Sequence, residues 1–345
     1  MRNDVLIRKA VSEDTPRLCQ MEWTCPEGTR IIRATELLPQ ADFHSLLTGS
    51  RGYYGVEGAR EVLVADLSGE AVGVISCTLE RVEINGKETK AVYLGSLKVS
   101  PDRRRKGIAV FLLDFAEKWA RSKEAQVVWA GIVEGNQAAE ALFQSCGWEK
   151  VSRIAFKALP LRFISLNHSI EQAARIAEGW FVPVERRDLE AQAYLEGFWK
   201  GHQFWKQRDF PYSTQRYAWR DREKLLACAD VFEHFRLARV VILGERGLPR
   251  WANLGFRLAA RPFQRFVYIR NLAFEKEEYA EFLVSQLIKV YRGAADIMVV
   301  GGDAKDSSQS VLRRFRGISA GSVNIFAKSF AEPLDDSRPC HMLLG

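Results

Sequence analysis

The sequence contains no long hydrophobic run and few cysteines. No stretch of about 18 apolar residues occurs, so a membrane-spanning helix is not expected. The six cysteines are scattered and show no C-x-x-C spacing, which argues against a disulfide framework and against a zinc site. No low-complexity segment is present, and the first residues lead into a predicted strand rather than a signal peptide. We therefore expect a cytoplasmic protein with reduced thiols and no bound metal.

Length and charge narrow the class of protein. A chain of 345 residues is longer than one average domain and predicts about two. Hydrophobic residues make up 47% and charged residues 27%, which is an ordinary globular composition. The 50 lysines and arginines exceed the 43 acidic residues by seven. This modest excess suits an anionic cofactor or an acidic partner and does not require nucleic acid.

A basic loop lies between a predicted strand and a predicted helix. Residues 92–99 are apolar and β-prone, and the turn signal Ser100-Pro101-Asp102 ends them. A run of cations and one glycine follows: Arg103, Arg104, Arg105, Lys106 and Gly107. Apolar residues then recur with helical spacing as far as Trp119. Free N–H groups and partial positive charge collect at a helix N-terminus, so this loop predicts a phosphate or pyrophosphate site.

This loop resembles a known family motif. The residues Arg104-Arg105-Lys106-Gly107-Ile108-Ala109 match the Q/R-x-x-G-x-G/A loop of the GCN5-related N-acetyltransferases (GNAT). A second element, Asn136 to Trp148, resembles the family's N-x-x-A…[YF]-x-x-x-G-[FW] segment. The resemblance implies acetyl-CoA as co-substrate and no metal. It also implies cofactor contacts at Leu97, Lys98, Val99, Arg104, Arg105, Lys106, Gly107, Ile108, Ala109, Asn136 and Phe143.

The predicted fold class is mixed α/β (α+β), with the central mixed sheet of the acyl-CoA N-acyltransferases. We expect a GNAT domain over residues 1–159, a linker over 160–180, and a degenerate acetyltransferase-like domain over 181–345. The second half repeats the order strand, helix, strand, helix, strand. Its counterpart loop, Glu275-Lys276-Glu277-Glu278, is acidic and lacks glycine, so it should repel a pyrophosphate. This tandem plan resembles the plant Hookless-type acetyltransferases and their bacterial relatives.

Two carboxylates are candidates for the catalytic base. Direct acetyl transfer requires a deprotonated amine, and a positioned carboxylate can supply that step. Glu134 ends the strand before Asn136, and Glu80 ends another strand of the same sheet. Many family members have a tyrosine at the position of Phe143 whose hydroxyl protonates the leaving thiolate, and phenylalanine cannot do this. Cys146 or water could replace it, although a structural thiol is the simpler reading of Cys146.

The stretch Thr24–Gly58 is irregular. In the family that the loop resembles, the region between the first two strands helps form the acceptor pocket, which makes Glu22, Trp23, Glu27 and Arg30 candidate substrate contacts. A plain polar loop is the alternative for this stretch. Two segments within it, Ala34–Leu38 and Ala41–Leu47, have helical patterns. The aromatic and basic segment Trp199–Trp219 predicts a packed helix with a cationic face. A nucleic-acid surface is the alternative for that segment, and nucleic acid is not our expectation.

The leading functional hypothesis is transfer of acetyl from acetyl-CoA to the amine of a small molecule or a protein lysine. The alternative is a CoA-binding sensor or scaffold without turnover. The sequence leaves the acceptor and the oligomeric state open, a homodimer included.

Overall fold

The computed structural model describes residues 4–25, 31–37, 60–164, 179–185, 187–205, 214–222, 224–236, 238–245, 264–306, 308–315 and 317–341. Six helices lie in these ranges: α1 (Thr15–Thr24), α2 (Ile108–Ser122), α3 (Gln137–Ser145), α4 (Leu189–Trp199), α5 (Glu277–Tyr291) and α6 (Ser308–Arg314). Searched over the same ranges, the structure has no helix long and apolar enough to cross a membrane.

Fourteen strands lie in the described ranges: β1 (Val5–Lys9), β2 (Ile31–Leu37), β3 (Arg60–Leu67), β4 (Glu70–Ile84), β5 (Lys87–Val99), β6 (Val127–Val133), β7 (Glu149–Pro160), β8 (Trp180–Val184), β9 (Thr214–Arg220), β10 (Leu225–Phe232), β11 (Ala238–Glu245), β12 (Phe266–Phe274), β13 (Ile297–Asp303) and β14 (Ile318–Ser329). Twelve of them form one mixed sheet in the order β1-β3-β4-β5-β6-β14-β7-β13-β12-β10-β9-β8. The other two, β2 and β11, pair with each other.

The last strand, β14, lies between two strands of the first half of the chain. Its residues Val323–Ser329 pair antiparallel with β6, and its residues Ile318–Ala327 pair antiparallel with β7. On its other edge β7 pairs with β13, from Pro160–Ile297 to Ile154–Asp303. Ile325 and Phe326 at the centre of β14 are completely buried. The two halves of the chain therefore share one continuous sheet and complete each other's strand order.

Each half contains a parallel strand pair that ends at a bulge. The pairing of β5 with β6 ends at Leu94–Ala130, and that of β12 with β13 ends at Ile269–Val300. Two residues further on, Ser96 and Asn271 have positive φ angles of 52° and 49°. The register to the preceding antiparallel strand shifts at both places. Past each bulge the two parallel strands no longer pair, so each half has an opening between them.

Helix α2 packs on the first half of the sheet along one apolar stripe. Its residues Leu112, Leu113 and Ala116 are completely buried. Gly73 of β4 lies beneath the helix, where an added Cβ would be 3.0 Å from Leu112 Cδ1 and 3.2 Å from Ile108 Cγ2. The missing side chain at Gly73 allows α2 to approach the sheet closely near its N-terminus. This contact positions the basic loop that precedes the helix.

Two of the predicted helices are wrong. Residues 34–37 of the predicted helix Ala34–Leu38 belong to strand β2, which pairs with the distant strand β11. The predicted helix over Trp199–Trp219 is also wrong, because α4 ends at Trp199 and Thr214–Arg220 forms β9 between β8 and β10. In both cases strand pairing overrides the local pattern, although only β2 has a partner that is distant in sequence. The predicted helix Ala41–Leu47 lies outside the described residues.

Four aromatic residues of the Trp199–Trp219 segment are buried, and Tyr217 is half-buried. Trp199, Phe204, Trp205 and Trp219 are all at most 9% exposed. Buried rings cannot stack on the bases of a bound nucleic acid, so these four residues do not form the surface that the alternative hypothesis needs.

Candidate active site

The basic loop leaves the sheet at Val99 and enters α2 at Ile108. The N–H of Ser100 donates to the carbonyl of Val72 at 2.9 Å, and Pro101–Arg103 form one turn of 3-10 helix. Arg105 and Gly107 both have left-handed backbone, with φ angles of 61° and 82°. Glycine adopts this conformation without strain, whereas it is uncommon for arginine. Glycine therefore suits the N-cap position of α2, which Gly107 occupies.

The loop presents a row of free backbone N–H groups. In α2, the N–H of Phe111 is the first to find a helical acceptor, the carbonyl of Gly107 at 3.0 Å. Within the described part of the chain, the N–H groups of residues 105–110 have no protein acceptor. Free N–H groups at a helix N-terminus, together with the helix dipole, form an anion-binding site.

The four cations of the loop have different surroundings. Arg103 pairs with Asp102 at 3.0 Å, and Nε of Arg104 donates to the carbonyl of Val99 at 3.1 Å. Arg105 and Lys106 are exposed, and neither has an ion-pair partner among the residues that the structure describes. These two side chains are available to an anionic ligand, while Arg104 also holds the end of β5.

The opening between β5 and β6 lies next to this loop. Leu97, Lys98 and Val99 follow the bulge at Ser96 and lie past the last parallel pair, Leu94–Ala130. On their other side Lys98 and Val99 still pair with Val74 and Gly73 of β4. The pairing with β6 does not continue along this strand segment, so its other edge faces the opening, where a ligand with amide groups could pair with it in the manner of an added strand.

Helix α3 contains the other predicted cofactor contacts. Asn136 is its N-cap, and its side chain accepts a hydrogen bond from the N–H of Ala139 at 3.3 Å. Phe143 is 4% exposed and packs edge-on against Trp148, with a ring separation of 4.8 Å. Phe143 is therefore a core residue in this structure, and Cys146 on the following turn is half-buried.

Glu134 lies at the end of β6, where it connects the two halves of the chain. Its carboxylate accepts from Arg153 Nη2 at 2.8 Å and from the hydroxyl of Ser322 in β14. The hydrogen bond from Arg153, followed by that from Ser322, lowers the pKa of this carboxyl below its ordinary value. The side chain is 44% exposed. Glu134 is therefore ionised and accessible, but a lowered pKa makes it a weaker base.

Glu80 has a different environment in the middle of the sheet. It is 1% exposed, and its Oε1 accepts a hydrogen bond from the indole Nε1 of Trp129 at 2.9 Å. The Trp129 ring stacks on Phe204 with a separation of 4.6 Å and contacts Tyr93 at 4.7 Å. Glu80 is thus a buried carboxylate held by an aromatic cluster, on a strand two positions away from β6 in the sheet order.

Some predicted contacts lie beyond what the structure describes. Glu27 and Arg30 are outside the described residues, and the side chains of Glu22 and Trp23 are not described. Sequence reasoning missed Arg153, Ser322 and Trp129, the partners of the two candidate bases. No local signal could have found Ser322, because β14 reaches Glu134 only through the strand order. Within the described ranges, no group of three or more His, Cys, Asp or Glu residues could hold a metal ion.

Comparison with known families assigns this site to a class. Residues 16–148 match the model of the acetyltransferase (GNAT) family. That segment contains the basic loop, the opening between β5 and β6, and α3. This part of the chain is therefore an acetyltransferase domain of the GNAT family, as the loop motif predicts. The match ends at residue 148, so the Hookless-like tandem plan for the whole chain stays a prediction.

Two curated relatives each match about a quarter of the chain. An aminoglycoside N(6')-acetyltransferase type 1 from Acinetobacter genomosp. 13 is 26% identical over 88 residues, which is 25% of this chain and 60% of the relative. The same kind of enzyme from Acinetobacter haemolyticus is 25% identical over 95 residues, 27% of this chain and 66% of the relative. The chain thus spans 60% and 66% of the length of these two relatives, just short of two thirds in the second case.

Solved structures match nearly the whole chain in fold. A GCN5-related N-acetyltransferase from Anabaena variabilis has a TM-score of 0.55 at 12% identity, covering 94% of this chain and 72% of that one. The Saccharomyces cerevisiae N-myristoyltransferase, solved with bound myristoyl-CoA, has a TM-score of 0.59 at 10% identity, covering 94% of this chain and 82% of that one. These likenesses confirm the predicted acyl-CoA N-acyltransferase fold with its large mixed sheet.

Proposed function

We propose that this protein is an acyl-CoA-dependent N-acyltransferase that transfers acetyl directly from acetyl-CoA to a primary amine. The observation that supports it most is the row of N–H groups at residues 105–110, which have no acceptor among the described residues. Beside it lie the exposed Arg105 and Lys106, without an ion-pair partner in the same part of the chain, and the strand edge at the opening. The N–H groups, Arg105 and Lys106 would hold the diphosphate of CoA. The amide-bearing arm would then extend along Leu97–Val99 toward Ser96.

The opening between the strands also suits the acyl-transfer step. The carbonyl oxygen of a thioester gains negative charge as the amine attacks, and a backbone N–H aimed at it stabilises that charge. Such donors would lie on the edge of β5 past the bulge at Ser96, where the strand no longer pairs with β6. The acetyl group is the finer part of this proposal. Its support is the match to an acetyltransferase family, since one structural neighbour binds a much longer acyl chain.

The acceptor amine must lose a proton before it attacks. A lysine-like amine with a pKa of about 10.4 requires roughly 4–5 kcal/mol for this at pH 7. Glu134 is accessible but has a lowered pKa, whereas Glu80 is buried beside Trp129. We propose Glu134 first and Glu80 second for this role, through a bridging water where necessary. The buried Phe143 cannot protonate the departing thiolate, so water or Cys146 would do so.

The acceptor is a primary amine in this proposal, and an aminoglycoside is the first to test because both curated relatives carry that name. We further propose that the chain consists of two acetyltransferase-like units, 1–159 and 181–345, joined by a linker at 160–180. The repeated parallel pair with its bulge supports this plan. The second unit has no loop for a diphosphate, since only Glu275 and Lys276 separate β12 from α5.

The test is a thiol-release assay with acetyl-CoA and an amine panel of an aminoglycoside, a polyamine and a lysine peptide. Amine-dependent CoA release by the wild-type protein supports the proposal. Glu134→Gln and Glu80→Gln identify the base, with an expected loss of about 10²–10⁴ in kcat for the residue that acts. Glu88→Gln, on the exposed β4–β5 hairpin, is the matched control. Calorimetric binding of acetyl-CoA without release for any amine would instead indicate a sensor.

A further inference from the structure

Helix α3 has little apolar contact with the rest of the protein. Of its nine residues, Phe143 alone is buried, and the other eight are half-buried or exposed. A helix this short is not stable by itself in water, so contacts with the rest of the chain must hold it in place. The N-cap of α3 is Asn136, a predicted cofactor contact, so whatever holds the helix also places this residue.

Strand β14 contacts α3 at both ends of the helix. Nδ2 of Asn324 donates to Oε1 of Glu140, in the first turn, at 2.9 Å. Nζ of Lys328 donates to the carbonyl of Cys146, the C-cap residue, at 2.9 Å. The partners are 184 and 182 positions apart in the sequence. A strand from the end of the chain thus provides polar anchors for a helix in the first half.

The β14 residues that contact α3 lie on one face of the strand. Side chains alternate between the two faces, so Asn324, Phe326 and Lys328 point the same way. The pairing with β6 runs from Val323 to Ser329 without a register shift, which preserves this alternation. The Phe326 ring is completely buried and lies 6.2 Å from the ring of Phe143, at the middle of α3. One face of β14 therefore supports the whole length of the helix.

Lys328 also connects α3 to α2. Its Nζ forms an ion pair with Oε2 of Glu117, on α2, at 2.7 Å. The other oxygen of Glu117 accepts a hydrogen bond from Nε1 of the buried Trp148, just after α3, at 2.7 Å. The Lys328 side chain is 26% exposed and that of Glu117 only 12%, so water screens this pair less than a surface pair. Because the basic loop precedes α2, the lysine fixes both helices that begin at predicted cofactor contacts.

We propose that Asn324 and Lys328 are positioning residues for the cofactor site, which act by fixing α3 and with it Asn136. This role rests on the proposed binding of acetyl-CoA at that site. Glu140 and Asn136 move together, because the N–H of Glu140 donates to the carbonyl of Asn136 at 3.0 Å. Asn324 therefore acts on Asn136 through one helical turn. The second half of the chain contributes in this way to the affinity for acetyl-CoA.

Three variants isolate the contact at the first turn of α3. Asn324→Ala removes the donor and Glu140→Ala removes the acceptor, whereas Glu140→Gln keeps an acceptor oxygen and removes only the charge. We expect Asn324→Ala and Glu140→Ala each to weaken CoA binding about tenfold, as for the loss of a hydrogen bond to a charged group. Glu140→Gln should bind CoA within about threefold of the wild type. The double variant Asn324→Ala/Glu140→Ala should be no weaker than either single variant, because both remove the same contact.

Lys328→Met tests the other end of the helix and keeps the apolar part of the side chain. Its matched control is Lys157→Met. Nζ of Lys157 donates to the carbonyl of Leu312 at 2.6 Å, so the control also loses a contact between a lysine and a helix carbonyl, but on α6. We expect Lys328→Met to weaken CoA binding about tenfold and Lys157→Met to bind CoA as the wild type does.

The measurements on the full chain are calorimetric titration with CoA, hydrogen exchange over residues 137–145, and steady-state kinetics with acetyl-CoA. In Asn324→Ala and Lys328→Met we expect faster exchange in α3 and a KM for acetyl-CoA raised about tenfold. The kcat and the KM for the amine should change little. A merely structural contact would lower the unfolding temperature and leave the CoA affinity of the folded protein unchanged.

Two results would overturn this positioning role while CoA binding by the wild type stands. One is a CoA affinity equal to that of the wild type in either Asn324→Ala or Lys328→Met, whatever the exchange in α3. The other is a loss in Glu140→Gln as large as that in Glu140→Ala, because the charge and not the hydrogen bond would then be responsible. Failure of the wild-type protein to bind CoA would instead refute the proposed function, and this role with it.

Discussion

The substitution Gly107→Glu tests the basic loop most directly. Gly107 has a φ angle of 82° at the N-cap of α2, in the middle of the row of free N–H groups. A glutamate there brings a negative charge to within about 5 Å of a bound diphosphate. At an effective dielectric constant of about 20, each charge pair at that distance costs about 3.3 kcal/mol. A Debye length of about 8 Å at physiological salt roughly halves this value.

Two phosphate charges then give about 3.5 kcal/mol, which corresponds to a roughly 300-fold weaker affinity for CoA. Any residue with a Cβ in left-handed backbone also costs the fold about 1–2 kcal/mol. Gly69→Glu separates these two effects. Gly69 has a φ angle of 88° in the β3–β4 turn, and an added Cβ there would meet no atom within 4 Å.

The assay is calorimetric titration with CoA at low and high salt, with thermal unfolding of each variant. We expect both variants to lose similar stability and only Gly107→Glu to lose affinity. The loss should shrink at high salt, because the repulsion is between accessible charges. Unchanged CoA affinity in Gly107→Glu, or an equal loss in Gly69→Glu, would refute the assignment of a diphosphate to residues 105–110.

Three further outcomes follow from the structure. Gly317→Ala should lower the free energy of unfolding in urea by about 1–3 kcal/mol, because its Cβ would lie 2.7 Å from Leu159 Cδ2 and 2.8 Å from the Ala158 carbonyl. The control Gly197→Ala, in open space on α4, should raise the free energy of unfolding by about 0.5–1 kcal/mol. Equal stabilities of the two variants would contradict the packing of β14 on β7. Burial raises the pKa of the Cys77 and Cys228 thiols and raises that of Cys340 to about 12, and Cys25 is buried too. A thiol reagent at pH 8 should therefore label only Cys19 and Cys146 in the native protein and six thiols after denaturation, and rapid native labelling of more than two would show that the core is open. Because the pKa of Glu134 is lowered in the folded state, its ion pair stabilises the protein above the ordinary carboxyl pKa of 4.5 and loses this effect as the pH falls through the lowered value. Arg153 and Glu134 are nearly half exposed, so Glu134→Gln should lower the free energy of unfolding by less than about 1 kcal/mol at pH 7 and leave it unchanged at low pH. A stability difference between variant and wild type that grows on acidification would contradict the lowered pKa.

Glu134 shows what a local sequence pattern can predict about a candidate base and what it cannot. Glu134 can be selected from sequence because it follows a strand and precedes a helix N-cap. Its pKa is decided by Arg153, 19 residues away, and by Ser322, 188 residues away. Similarly, Glu80 reads as an ordinary strand-end carboxylate, yet it is buried and bonded to Trp129. These partners lie 19 to 188 residues apart, beyond the few neighbours on which a local pattern depends.

The sequence by itself determined the basic loop, α2, α3 and the family, because these features depend on neighbours within a few residues. Turn signals, helical spacing, a glycine with positive φ and a cluster of cations are all local properties. Only the tertiary structure decided that β14 lies between β6 and β7, that residues 34–37 form a strand, and that Glu80 is buried beside Trp129. Strand pairing and burial join residues that are hundreds of positions apart, and their energies depend on that pairing rather than on local preference.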